Sequence, residues 1–105
     1  MHISSVGYRP PGGELPRDLV EASHIFVESK VAFNEPPVGC SELQGLSPES
    51  GTELGEVLSK QRPGRKSEKE ATLYKSMGHA MEDLVAANLV YQKAIEQNVG
   101  KTIEL

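Results

Sequence analysis

Hydrophobic and polar positions alternate in short bursts through the first quarter of the chain. His2-Ile3-Ser4-Ser5-Val6 reads as a short strand that stops at Gly7. Pro10, Pro11, Gly12 and Gly13 make residues 8–13 a loop. Leu15, Leu19 and Val20 share one helical face, with Pro16 near the first turn, which predicts a short helix over 15–20. His24-Ile25-Phe26-Val27-Glu28 is apolar and β-branched enough for a second strand buried on both faces, as in a parallel sheet. Strand, loop, helix, strand is a βαβ unit, the repeat of a doubly wound α/β fold. Such a unit needs further strands beside it and helices on both faces.

Residues 34–50 carry the weakest pattern, broken by Pro36, Pro37, Gly39, Gly45 and Pro48. Ser50-Gly51-Thr52-Glu53 has the Ser-x-x-Glu spacing of a capping box, and Leu54, Val57 and Leu58 follow at helical spacing, so a helix is expected to about Lys60. Arg62-Pro63-Gly64-Arg65 breaks it. Glu70 to Lys75 alternates as a third strand. Ser76 then reads as the N-cap of a long helix over about 77–98, with Met81, Leu84, Val85, Asn88, Tyr91 and Ile95 along one stripe. Ala80, Ala87 and Ala94 widen that stripe. Glu82 and Asp83 suit the positive end of the helix dipole, and Gly100 is the expected stop. A helix this broadly apolar needs more covering surface than the remaining chain offers.

Composition narrows the chemistry. Hydrophobic residues make up 37% and aromatics 5% of 105 residues, with 10 glycines and 7 prolines, so the core is modest and the connections long. The net charge of −4 gives no basic surplus for nucleic acid. One cysteine, Cys40, forms no internal disulfide and no multi-cysteine zinc cluster, and His2, His24 and His79 have no zinc spacing, so no metal site is expected. No apolar run approaches the ~20 residues of a membrane span, and the first residues do not read as a signal peptide. The expectation is a cytoplasmic protein with no membrane or nucleic-acid partner.

Four ordered segments carry a family likeness: His2-Ile3-Ser4-Ser5-Val6-Gly7 with Arg9-Pro10 and Glu14-Leu15; Ile25-Phe26-Val27-Glu28-Ser29; Glu53 to Leu58 with Arg62-Pro63-Gly64-Arg65; and Thr72 to Asp83. The last is the most specific, a strand ending in Lys-Ser followed by x-Gly-x-Ala-x-Glu-Asp opening a long helix. In these segments the chain resembles the C-terminal portion of the ornithine cyclodeaminase / mu-crystallin (ketimine reductase) family.

The resemblance implies that residues 1–33 are the last βαβ part of a Rossmann-like NAD(P)-binding domain. Residues 34–69 would be connecting loops and a short helix, and 70–105 a strand and long helix returning to a substrate and dimerisation domain. It implies NAD(P) as cofactor, a small imine or amino-acid substrate, and a homodimer through 77–98. It places Gly7, Tyr8, Ser76 and Met77 at the cofactor and Arg9 and Ser76 at the substrate.

Ser76 has two readings, a plain N-cap or a hydroxyl beside cofactor and substrate. Gly7 is a turn glycine with an unusual φ, a strand end at the nicotinamide, or both. Arg9 serves the pocket or is a solvated loop charge. Tyr8 is the departure. Cyclodeaminases carry an aspartate as acid/base group in the matching loop and mu-crystallin-like members a serine, and counting back from Arg9-Pro10 puts Tyr8 there, in a loop one residue short. That disfavours ornithine cyclisation and leaves imine reduction.

Arg62, Arg65 and Lys66 meet a phosphate or are solvated, and Cys40 reads as a bystander. No G-x-G-x-x-G fingerprint is present, and the family's carboxylate-gripping basic residues lie in its N-terminal half. The chain alone is therefore expected neither to bind NAD(P) nor to catalyse. The alternative is a non-catalytic interaction protein that keeps the dimerising helix.

Overall fold

The structure, a computed structural model, describes residues 1–7, 9 and 11–103. The described elements are β1 (His2–Ser5), α1 (Arg17–Glu21), β2 (His24–Val27), β3 (Gly51–Glu53), α2 (Leu54–Leu58), β4 (Thr72–Lys75) and α3 (Ala80–Glu96), with 3-10 turns at Lys30–Phe33, Ser41–Leu43 and Pro48–Ser50. The four strands form one parallel sheet in the order β1-β4-β2-β3. The α/β class with a parallel sheet and a long C-terminal helix is as expected from the sequence.

Register makes the two faces of the sheet chemically distinct. Ile3, Leu73 and Ile25 align, as do Ser5, Lys75 and Val27, so these side chains share one face. That face holds the core: Val20 from α1 and Ala32, Phe33, Cys40 and Leu43 from the 3-10 segments close over Ile25, Val27 and Leu73. The opposite face carries His2, His24, Phe26, Thr52 and Thr72. It is tied by side-chain bonds from His2 to Thr72 (2.7 Å) and His24 to Thr52 (3.2 Å).

β4 is paired on both sides, by β1 and by β2. Its Leu73 is fully buried between them. The strand arriving last in sequence thus brings the ends of β1 and β2 together beside its own end.

Three local expectations change. Ser50 does not cap α2: it closes a 3-10 turn, and Gly51–Glu53 pairs with β2 as a strand. The cap of α2 comes from Glu56, whose carboxylate accepts from the Glu53 amide at 3.0 Å. Ser76 does not cap α3 either. Gly78 (φ 73°) takes a left-handed turn open to few other residues, and His79 Nδ1 accepts from the Met81 amide as the actual N-cap. At the far end, Asn98 (φ 52°) rather than Gly100 stops the helix. The bonds from Asn98 N to Ile95 O and from Val99 N to Ala94 O form a Schellman motif.

None of the residues of α3 is buried, and Met81, Leu84, Val85, Leu89, Val90, Tyr91 and Ile95 are all exposed. The helix projects from a molecule measuring 51 × 32 × 22 Å. No helix of the described residues is long and apolar enough to cross a membrane. The sheet is the stabilised part, so Leu73→Ala should lower unfolding free energy by about 2–5 kcal/mol, the cost of a core cavity. Urea unfolding followed by circular dichroism measures this.

Candidate functional site

In parallel α/β sheets, ligand crevices lie beyond the carboxyl ends of the strands. Here a cleft of about 320 Å³ opens at the ends of β1 and β4. Val6 and Gly7 form one wall, Lys75 to Gly78 another, and Pro37 to Cys40 with Glu42 a third. Gly7, Ser76 and Met77, three of the residues named from sequence, meet here although nearly 70 positions separate them. Arg9 is exposed and does not line the cleft; its carbonyl closes the loop by accepting from Gly13 N at 2.7 Å. Tyr8 lies outside the described residues.

Lys75 forms the floor. Strand alternation turns it to the core face beside Leu73, where its side chain is 1% exposed. Its Nζ donates to Gly7 O at 2.6 Å and Ser5 Oγ at 3.0 Å, and lies 3.2 Å from Glu42 Oε1 and 3.5 Å from Glu14 Oε2. Glu14 Oε2 also accepts from Ser5 Oγ at 2.7 Å and from Gly7 N at 2.8 Å, and Glu42 Oε1 accepts from Glu14 N at 2.7 Å. The bond from Ser5 leads in holding the Glu14 carboxyl below its ordinary range, against some burial. Burial alone would raise Glu42, but the bond from the Glu14 amide and the Lys75 charge outweigh it and leave Glu42 lowered.

Gly7 is not among the glycines of positive φ, and its place is set by a close approach. A Cβ there would fall 1.8 Å from Glu14 Oε1, so the carboxylate occupies the space a side chain would need.

Ser76 is 9% exposed, and its hydroxyl is spoken for. It donates to Glu28 Oε1 at 2.5 Å and accepts from Gly78 N at 3.2 Å. A hydroxyl has one hydrogen and two lone pairs, so Ser76 keeps one acceptor position and no donor for a ligand. Glu28, just past β2, also accepts from Tyr74 Oη at 2.7 Å and from Met77 N at 3.0 Å. Burial works to raise Glu28, and the bonds from Ser76, Tyr74 and Met77 overcome it, leaving the carboxyl below its usual value. Burial and the bond to Glu28 push Tyr74 up to about 12.

The remaining candidates fall elsewhere. His24 bonds Glu70 and Thr52 and stacks at 4.4 Å on Phe26, at the amino-terminal end of β2. Arg62 donates to Gly51 O, and Arg65 to the carbonyls of Ser67, Glu68 and Glu70, so both guanidinium groups tie backbone. Cys40 lines the cleft as a buried thiol raised by desolvation. Sequence reading missed Lys75, Glu14, Glu28 and Glu42. Period-two alternation from Leu73 could have found Lys75; the carboxylates come from far along the chain and left no local signal.

The lowered carboxyls set a pH dependence. Each folded value lies below the ordinary 4.5, so their stabilisation is complete above that pH and is lost as pH falls through the folded values. Melting temperature should hold steady from pH 7 to about 5 and fall steadily towards pH 3. Glu28→Gln should melt lower at pH 7 and lose less below pH 5, read by circular dichroism melts across pH.

Comparison with known proteins accords with this geometry. The ornithine cyclodeaminase/mu-crystallin family matches residues 1–98. A Δ1-pyrroline-2-carboxylate reductase of Bacillus cereus is 36% identical over 110 residues, covering 99% of this chain and 34% of that protein. An ornithine cyclodeaminase of Agrobacterium fabrum is 42% identical over 107 residues, covering 100% of this chain and 29% of its own length. A structure of Thermococcus litoralis Δ1-pyrroline-2-carboxylate reductase in complex with NADH and L-proline superposes with a TM-score of 0.72 at 32% identity, covering 97% of this chain and 33% of that one. The chain spans about a third of the length of the relatives it matches. By sequence along nearly its whole length, and by fold, it belongs to the ornithine cyclodeaminase/mu-crystallin family.

Proposed function

We propose that this chain supplies the nicotinamide end of the active site of an NAD(P)-dependent imine reductase. The observation that carries the reading is the convergence of Gly7, Ser76 and Met77 on one cleft at the carboxyl ends of β1 and β4. Its support from relatives is the reductase fold seen with NADH and L-proline. A volume of about 320 Å³ sits at the lower end of the ~300–1,000 Å³ range for small-molecule pockets, enough for part of a dinucleotide. The sequence holds no Gly-rich phosphate turn, so the residues present fit the nicotinamide end and not the pyrophosphate.

The cofactor, when bound, supplies the hydride that reduces a C=N bond. The chain's own part is to place and polarise. Gly7 presents bare backbone at the strand end. Ser76, with its hydrogen committed to Glu28, offers an oxygen that accepts, which suits a carboxamide N–H or a protonated imine nitrogen. Tyr8 in place of a carboxylate argues for reduction rather than ornithine cyclisation. The exposed apolar row on α3 supports a homodimer through 77–98, and it equally suits a non-catalytic interaction protein derived from the family.

The chain alone is expected to show no saturable NADPH fluorescence change. Fused to the remaining two thirds of the Bacillus cereus reductase in place of the matching segment, it is expected to oxidise NADH or NADPH with Δ1-pyrroline-2-carboxylate at 340 nm. Micromolar NADPH binding by the chain alone would overturn the partial-site reading. A fusion that binds the cofactor yet reduces no cyclic imine would overturn the reductase reading. Sedimentation equilibrium tests the dimer: Leu84→Glu with Tyr91→Glu should yield a monomer, and a wild-type monomer at all concentrations would end that proposal.

A further inference from the structure

Resting on the reading of the cleft as the nicotinamide and imine site, we propose that Lys75 is the positioning residue that holds the 7–14 loop at a fixed distance from Ser76. Three walls of the cleft meet at its Nζ. Gly7 begins the loop and Glu14 ends it, while Glu42 belongs to the segment facing both.

Each end of the loop is gripped twice. Gly7 is held by its carbonyl, through Lys75, and by its amide, through Glu14. Glu14 is held by its carboxylate, through Ser5, Gly7 and Lys75, and by its amide, through Glu42. Arg9 lies between these anchors, exposed. Lys75 is the last residue of the central strand, fixed by pairing with both β1 and β2, and Ser76 follows it directly. One side chain therefore sets the separation between the loop and the hydroxyl across the cleft.

A merely space-filling lysine would predict otherwise. A buried ion pair replaced whole by uncharged residues of similar volume often loses no stability, whereas removing one partner leaves the other charge buried and alone; for Lys75 that charge is Glu42, whose side chain is 3% exposed. An apolar side chain at position 75 can fill the core beside Leu73, but it cannot hold the Gly7 carbonyl or the Glu14 and Glu42 carboxylates. With Glu42→Gln beside Lys75→Met no buried charge is left alone, and stability and loop order become separable quantities.

The test uses the whole chain, 15N- and 13C-labelled, without cofactor or substrate, so it stands or falls apart from the reductase reading. In the wild type, the Lys75 ammonium should give a slowly exchanging NMR signal correlated with the Gly7 carbonyl. In Lys75→Met/Glu42→Gln, where the amide oxygen at 42 can still accept from the Glu14 amide, the Gly7 and Glu14 amides should exchange about 10- to 100-fold faster, the effect of losing hydrogen bonds to a charged group. The amides of Ile25, Phe26 and Leu73 should keep their protection. Equal loss across loop and sheet would overturn the proposal, leaving Lys75 a structural residue, and so would unchanged protection at Gly7 and Glu14. If that variant does not fold, the wild-type signal decides. A correlation to the Gly7 carbonyl upholds the clamp, and a rapidly exchanging ammonium without it overturns the clamp.

Discussion

Taking an ammonium group out of water costs several kcal/mol unless oxygens replace its hydration. Lys75 is 1% exposed, so the fold must deliver those oxygens, and they come from four places in the chain. Ser5 and Gly7 arrive with β1, Glu14 with the loop after it, and Glu42 with a 3-10 turn that strand pairing alone would leave free. Meeting this one demand brings otherwise weakly determined segments to a single point, and the cleft is the space left above it. The stretch from 34 to 50 has the poorest hydrophobic pattern in the chain, yet Glu42 and Leu43 are buried within it.

A second anchor of opposite sign works beside the first. Glu28 collects Tyr74, Ser76 and Met77 as Lys75 collects Ser5, Gly7 and the two glutamates. The chain leaving β4 is therefore pinned on both sides over four consecutive residues. This accounts for the late start of α3. Residues 76 and 77 are held against Glu28, the chain turns at Gly78, and the helix begins beyond His79.

Local pattern revealed three of the four described strands, both short helices and the long one, because each rests on periodicity within a few residues. The 51–53 strand escaped notice because three residues carry too little alternation and Ser50 to Glu53 mimics a helix cap. Site residues divided along the same line. Gly7, Ser76 and Met77 were marked by their place at strand ends and by family likeness. Glu28 acts on Ser76 and Met77 across 48 and 49 positions, Glu42 on Glu14 across 28, and Glu14 on Gly7 through a loop, where no local spacing exists. Gly7 reads from sequence as a turn glycine, a strand end at the nicotinamide, or both; its φ is not positive, and the Glu14 carboxylate lies where its Cβ would stand.

That last feature binds two positions into one unit of inheritance. Any side chain at position 7 collides with the carboxylate of Glu14, and any loss of that carboxylate strips the Gly7 amide of its acceptor. A side chain added at 7 would push the Glu14 carboxylate aside and cost it the bonds from Ser5 and Gly7, so a change at one position is felt at the other.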